Sequence, residues 1–202
     1  LLDKSKILAY SRNNGGERYT KRFNCWIHLE VMLYAVIMRF DSLREITASL
    51  LAETRKLSHL GITFKIGRST LADANKRRPE YIFEAIYRDL YATYRYALSS
   101  DSRSGKTPKW MKRLQIIDST TITLFSNLLF KGVGRHPKTG KKKGGIKVHT
   151  VIHANEGVPS DIKFTSAATN DSFMLKPSTL SKGDIMAMDR AYIDYEKFEQ
   201  LT

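Results

Sequence analysis

Two short apolar runs in this 202-residue chain each end in an aspartate: Leu114-Gln-Ile-Ile-Asp118 and Ile185-Met-Ala-Met-Asp189. An apolar strand delivers a side chain rigidly, so carboxylates at the ends of two adjacent strands can share a Mg²⁺ ion. Magnesium prefers a few hard oxygen ligands, keeps several waters and leaves positions open for phosphate. Two such ions can clamp the attacking and leaving oxygens of a phosphoryl transfer. The competing role is local, with each aspartate capping the turn or helix that follows it. On pattern alone, capping is the stronger reading.

What lies between the two aspartates bears on the choice. Residues 119–155 contain no Asp or Glu. Within them Lys131, Arg135, Lys138, Lys141, Lys142, Lys143 and Lys147 cluster around five glycines. A flexible cationic segment beside a carboxylate pair suits a phosphate backbone. Other motifs fail on spacing. Gly134-Arg-His-Pro-Lys-Thr-Gly140-Lys141 is one residue too long between its glycines for a phosphate-binding loop, and Lys142 stands where Ser or Thr is needed. His149 and His153 have metal-ligand spacing only on a helix. The local pattern is a strand, which separates them by about 13 Å and lines them up with Lys147 and Val151 on one face. Gly-x-Ser-x-Gly is absent, so nucleophilic hydrolase chemistry has no support.

The composition narrows the partner. Lys and Arg number 34 against 20 Asp and Glu, a net charge of +14. Residues 1–100 and 101–202 each carry 17 basic and 10 acidic residues, so the charge belongs to the whole body and not to a tail. That favours a polyanion, normally nucleic acid. The single cysteine, Cys25, excludes a disulfide framework and a cysteine-rich zinc site, and it fits a reducing cytoplasm. The longest unbroken apolar run, Val31–Met38, is too short for a membrane span. The chain begins at Leu1 and ends at Thr202 within a helical pattern, which reads as a fragment lacking both ends.

Positioning falls to two kinds of element. The first hundred residues read as helical. Trp26–Phe40 is apolar nearly all round and reads as the central helix of a bundle. Ser42-Leu-Arg-Glu45 is a capping box, and Leu43, Ile46, Leu50 and Leu51 follow at helical spacing. Gly61 is a stop. Ser69 or Thr70 caps a short helix with Asp73 in its first turn, and Pro79 ends it near Arg78. Ile82, Ile86 and Leu90 stripe the next helix. Leu43–Leu51 and Thr70–Arg78 together suggest a helix-turn-helix-like unit, with Asn75, Lys76, Arg77 and Arg78 meeting bases or phosphates. An ordinary basic surface helix is an equal alternative, and the connection is long for the motif. Residues 99–108 have linker composition. Beyond them the period turns to two. Strands are expected at Leu114–Asp118, Ile146–Ala154, Pro159–Thr165 and Asp184–Asp189, with a turn at Asn155-Glu-Gly157, a helix at Ser172–Leu180 and another at Tyr192–Leu201. The expected fold is α+β: an all-helical domain, about 1–100, then a mixed sheet flanked by helices, about 108–202.

Taken together, the blocks resemble bacterial insertion-sequence transposases of the DDE type, in the large "IS-four" group with a ribonuclease-H-like catalytic domain. In the first half the resemblance rests on Arg18-Tyr-Thr-Lys-Arg-Phe-Asn-Cys-Trp26, Asp41-Ser-Leu-Arg-Glu-Ile46, His59-Leu-Gly-Ile62 and Arg68-Ser-Thr-Leu-Ala-Asp-Ala-Asn75. In the second it rests on Ile117-Asp-Ser-Thr-Thr-Ile122, Gly145-Ile-Lys-Val-His149 and Met188-Asp-Arg-Ala-Tyr-Ile-Asp-Tyr195. It implies that Asp118 and Asp189 are the first two acids of a catalytic triad, overturning the capping preference. It implies that Lys147 and His149 lie near bound DNA, that Arg190 and Tyr192 flank the second acid and also contact DNA, and that Asp171 is a secondary site residue. The implied cofactor is Mg²⁺, with Mn²⁺ as a substitute. The implied partner is double-stranded DNA, both element ends and target, bound by a homodimer in the synaptic complex, with no membrane. The implied chemistry is strand cleavage at the ends of the element and strand transfer through a hairpin intermediate, in a bacterial cytoplasm. Two departures stand out. Position 191 is Ala where Gly is usual. The family's third acid, a Glu in a Tyr-Arg-Glu-Lys block, is not among these residues, and Glu196 and Glu199 follow Asp189 too closely to replace it. The chain is therefore expected to be silent alone. The alternatives are a non-catalytic helix-turn-helix module and a structure-specific nuclease of the same fold.

Overall fold

The computed structural model describes residues 2–98, 108–123, 145–175 and 180–200. The chain divides into two compact units, Leu1–Ala92 and Thr93–Thr202.

The first unit is helical. Asp3 caps α1 (Lys4–Asn13) by accepting from the amides of Ser5 and Lys6. Asn24 caps α2 (Cys25–Ile37) by accepting from Ile27 N at 3.0 Å. Ser42 caps α3 (Leu43–Ala52), its Oγ accepting from Glu45 N at 3.2 Å. Glu45 returns a bond, but to Asp41 N at 2.9 Å and not to Ser42, so the box is shifted by one residue. A single turn, α4 (Thr54–Leu57), and a 3₁₀ turn lead to Gly61, whose φ of 77° requires a residue without a Cβ penalty. Then come α5 (Arg68–Arg77) and α6 (Tyr81–Leu98), the latter crossing the division between the units.

Helix α2 lies between two apolar clusters. Ile27, Val31 and Ala35 pack with Ile46 and Leu50 of α3 and with Leu71 and Ala74 of α5. Cys25 and Leu29 pack with Ile7 of α1 and with Ile82 and Ile86 of α6. The expectation of burial all round fails at the far end, where Val36 and Ile37 are 72% and 75% exposed. The helix outruns the elements that sandwich it. The capping expectation for α5 also fails. The helix starts at Arg68 on extended Gly67 with no side-chain cap. Asp73 is consequently beyond the first turn and instead pairs with Arg77, one turn on, at 2.6 Å. The two helices of the expected helix-turn-helix-like unit, α3 and α5, pack together, and the long connection between them holds α4, a 3₁₀ turn and the 61–67 segment.

The described strands of the second unit form one sheet of order β3-β2-β1-β4. β1 (Leu114–Thr123), β2 (Gly145–His153) and β3 (Pro159–Ser166) form an antiparallel meander, and β4 (Ile185–Met188) adds parallel to β1. The β2–β3 turn needs Gly157 at φ 69°. One face packs Ile117, Val151, Met174 and Tyr192, flanked by Met186 and Met188. The other carries Ile116, Ile122, Phe164 and Ile185, all exposed. The expected Leu114–Asp118 strand is too short. β1 runs on through Ser119-Thr-Thr-Ile-Thr123, where β-branched residues pair with β2 along their full length. The expected helix at Ser172–Leu180 is a 3₁₀ turn, Asp171–Met174, capped by Asn170, and 176–179 lie outside the described residues. The expected Tyr192–Leu201 helix is a 3₁₀ turn, Arg190–Tyr192, followed by α7 (Tyr195–Glu199), because Asp189 and Asp194 each cap a separate start.

Candidate metal and nucleic-acid site

The parallel register of β1 and β4 runs Leu114↔Ile185 to Ile117↔Met188. The next position on each strand is the aspartate, so Asp118 and Asp189 follow the last paired residues on neighbouring strands, which lie about 4.8 Å apart. Ile117 and Met188 belong to the core face. Alternation therefore sends Asp118 to the open face, where it is exposed, as is Asp189. Asp118 is not at the end of its strand, but it is at the end of the stretch of β1 that β4 covers.

The capping expectation holds for one aspartate only. Asp189 Oδ1 accepts from Arg190 N and caps a 3₁₀ turn. Asp118 lies within β1, where its Oδ1 accepts from Ser119 N at 2.7 Å but no turn or helix follows. Each group keeps its second oxygen outside these bonds. Two adjacent carboxylates with open oxygens fit a hard divalent cation. Among the described residues no three His, Cys, Asp or Glu side chains form a metal-holding group, so the pair stands without a third donor of those types.

Beneath the pair, on the core face, lies a polar cluster. Asp171 Oδ1 accepts from Ser119 Oγ at 2.6 Å and lies 3.1 Å from Lys147 Nζ. Lys147 also donates to Thr169 O at 2.9 Å. His149 is fully buried, with Nε2 2.8 Å from Thr165 Oγ1 and Nδ1 3.8 Å from Asp171. Burial works against the Asp171 carboxylate, but the Ser119 and Lys147 hydrogen bonds and the Lys147 and His149 charges outweigh it, and its pKa falls below the ordinary value. Burial pushes His149 down; the Asp171 charge opposes this and the Lys147 charge adds to it. Among the described residues the Tyr192 hydroxyl is buried without a hydrogen-bond partner of full geometry, the Ser119 hydroxyl being nearby. Burial raises its pKa, the nearby Ser119 hydroxyl opposes, and the charges of Asp171, Asp118 and Asp189 add to the rise.

The residues expected near DNA differ in exposure and in their partners within the chain. His149 and Tyr192 are buried side chains. Lys147 is nearly covered and spends its charge on Asp171. In the helical unit Arg78 is a structural residue. It donates to Gly16 O at 3.2 Å and to Phe23 O, with its guanidinium 5.4 Å from the Phe23 ring. Asn75 is tied to His28, its Oδ1 2.6 Å from Nε2. Arg77 is engaged by Asp73 and by Arg18 O. Lys76 is exposed on α5 and Arg190 is exposed beside Asp189. Lys131, Arg135, Lys138, Lys141, Lys142 and Lys143 lie outside the described residues. Sequence reasoning missed Ser119, whose side chain joins Asp171. The alternation along β1 could have placed it on the core face, but nothing local announces its partner 52 residues on.

Residues 109–202 match the family model described as Transposase DDE domain. The match supports a transposase function, and such domains use divalent metal. It covers β1 to α7, including both aspartates, and the mixed sheet after a helical region accords with a ribonuclease-H-like DDE domain. Residues 1–63 match a domain of unknown function (DUF4372). No curated protein and no solved structure matches the chain. Among the described residues no helix is long and apolar enough to cross a membrane.

Proposed function

We propose that this chain is part of an insertion-sequence transposase of the IS-four type, in which Asp118 and Asp189 hold Mg²⁺ and the body binds double-stranded DNA. On this reading a helical DNA-binding domain spans about 1–100, and 108–202 are part of the catalytic domain. The observation that carries the proposal is the parallel pairing of β4 with β1. It sets two carboxylates, 71 positions apart in sequence, side by side on an open face. The Ser119 and Arg190 amides each engage one oxygen of these carboxylates, which leaves the other for a cation. When bound, the metal supplies charge neutralisation where oxygens attack and leave phosphorus. Arg190, exposed at the second acid, is positioned to meet a phosphate. Cleavage at the ends of the element would free a 3′-hydroxyl that attacks the opposite strand and then target DNA. That chemistry needs a third carboxylate, which the described residues do not supply beside the pair.

The test is DNA binding and nicking in Mg²⁺ and in Mn²⁺. The chain is expected to bind DNA of any sequence. If about six phosphates are neutralised, affinity falls roughly a thousandfold between 50 and 200 mM salt. It should leave DNA uncut. A longer protein that adds a downstream glutamate should cut and join, and Asp118→Asn or Asp189→Asn in that protein should abolish both without weakening binding. A flat salt response overturns the DNA partner. Cleavage without joining would indicate a nuclease, and binding without cleavage by the longer protein a regulator. Cutting by residues 1–202 alone would overturn the assignment of a missing acid.

A further inference from the structure

Ser119 works on both faces of the sheet. Its main-chain N–H donates to Asp118 Oδ1 at 2.7 Å on the open face. Its hydroxyl donates to Asp171 Oδ1 at 2.6 Å beneath. One residue thus links a carboxylate of the proposed metal pair to the Asp171 carboxylate.

Asp171 also begins a turn that lies near the other half of the pair. Its 3₁₀ turn, Asp171–Met174, packs against the Arg190–Tyr192 turn that Asp189 caps. Met174 and Tyr192 from these turns share the core with Ile117, the residue before Asp118. The turn is held from behind, where the Lys197 ammonium of α7 donates to Ser172 O. Asp171 itself is locked by Lys147, which is in turn pinned to Thr169 O, and by His149, anchored on Thr165. Displacing Asp171 would therefore move the segments bearing both aspartates.

We infer that Asp171 is a positioning residue: through Ser119 and through the turn it begins, it fixes the orientation and spacing of Asp118 and Asp189 for a divalent cation. The inference rests on the metal reading above. Asp171 contacts neither metal nor DNA. The arrangement is that of an outer-shell partner, a hydrogen-bonded group that orients a ligand, and removing such partners costs 10- to 100-fold in metal affinity. A simple stability role is a weaker account, because a covered carboxylate–lysine pair gains little over apolar packing.

The experiment is Mn²⁺ titration of the 202-residue chain by calorimetry, with urea unfolding as the control for folding. Wild type should bind, and Asp118→Asn should abolish binding. Ser119→Ala and Asp171→Asn should each weaken Mn²⁺ roughly 10- to 100-fold. Ser119→Thr, which keeps the hydroxyl, should restore near wild-type affinity. The double variant Ser119→Ala/Asp171→Asn should be no weaker than the worse single one, because Ser119 acts on the site through its bond to Asp171. If Asp171→Asn fails to fold, Ser119→Ala with its threonine rescue carries the test. Should Asp118→Asn abolish binding while Ser119→Ala and Asp171→Asn bind as wild type, the positioning role is overturned and the metal reading survives. Should wild type bind no Mn²⁺, or Asp118→Asn bind as wild type, the metal reading falls and takes this inference with it.

Discussion

Acid should unfold the helical unit through His28. This side chain is 2% exposed on α2, its ring against Phe23 and edge-on to Phe83 of α6 at 5.4 Å. Its Nε2 faces Asn75 Oδ1 of α5, an acceptor, so Nε2 carries the hydrogen and Nδ1 is bare. Among the described residues Nδ1 has no partner. Protonation there would create a buried charge and an N–H with nothing to donate to. Burial accordingly pushes the pKa down to about 4; the Asn75 hydrogen bond opposes this and the Arg78 charge adds to it. The unfolded chain titrates near 6.5. Between those values the unfolded state binds the extra proton, so stability rises with pH. The His28 contribution is complete above about 6.5, is lost progressively as pH falls to about 4, and changes no further below. The gap of about 2.5 in pKa corresponds to about 3 kcal/mol. Urea unfolding followed by circular dichroism at 222 nm, at pH 7, 5.5 and 4, measures it against His28→Gln, which keeps a donor toward Asn75 and does not titrate. Wild type should lose about 3 kcal/mol more than the variant across that range. A wild-type–variant difference that stays constant with pH would refute the reasoning.

Three smaller perturbations probe the structural assignments. Arg78→Ala should cost about 2–3 kcal/mol in urea unfolding, since it strips charged hydrogen bonds from Gly16 and Phe23 carbonyls, whereas exposed Lys76→Ala should stay within about 0.5 kcal/mol. Ser42→Ala should cost about 1 kcal/mol by removing the α3 cap. Tyr192→Phe removes a buried hydroxyl that has no well-formed hydrogen bond among the described residues, so thermal unfolding should find it equal to wild type or up to about 1 kcal/mol more stable.

What the sequence disclosed and what it hid follow from the range of the forces involved. Caps and turns are local. Ser42 with Glu45, the stop at Gly61 and the glycine turn at 157 are legible because the partners lie within a few residues. The hairpin of β2 and β3 is legible for the same reason. The length of β1 was not, because Ser119-Thr-Thr121 reads as polar punctuation until β2 is known to pair with it. Burial of charge is least legible of all. Lys76-Arg-Arg78 looks like one basic face, yet the last residue turns inward because α5 ends beside the carbonyls of Gly16 and Phe23. Lys147 and His149 likewise carry no local sign of Asp171, which reaches them across β3. That β4 lies beside β1 depends on a parallel crossover, which periodicity does not encode; the two strand-end aspartates raised a shared site, and the family resemblance tipped the choice toward it.

The central claim is that Asp118 and Asp189 hold one cation together, and iron-directed cleavage tests it most directly. Fe²⁺ replaces Mg²⁺ at carboxylate sites and, with ascorbate and peroxide, cuts the backbone beside it. The account predicts two clusters of cuts, one at residues near 118 and one near 189, both suppressed by excess Mg²⁺ and both lost in either Asp118→Asn or Asp189→Asn. Cuts near only one aspartate, or cuts at both that persist in the single variants, would contradict it.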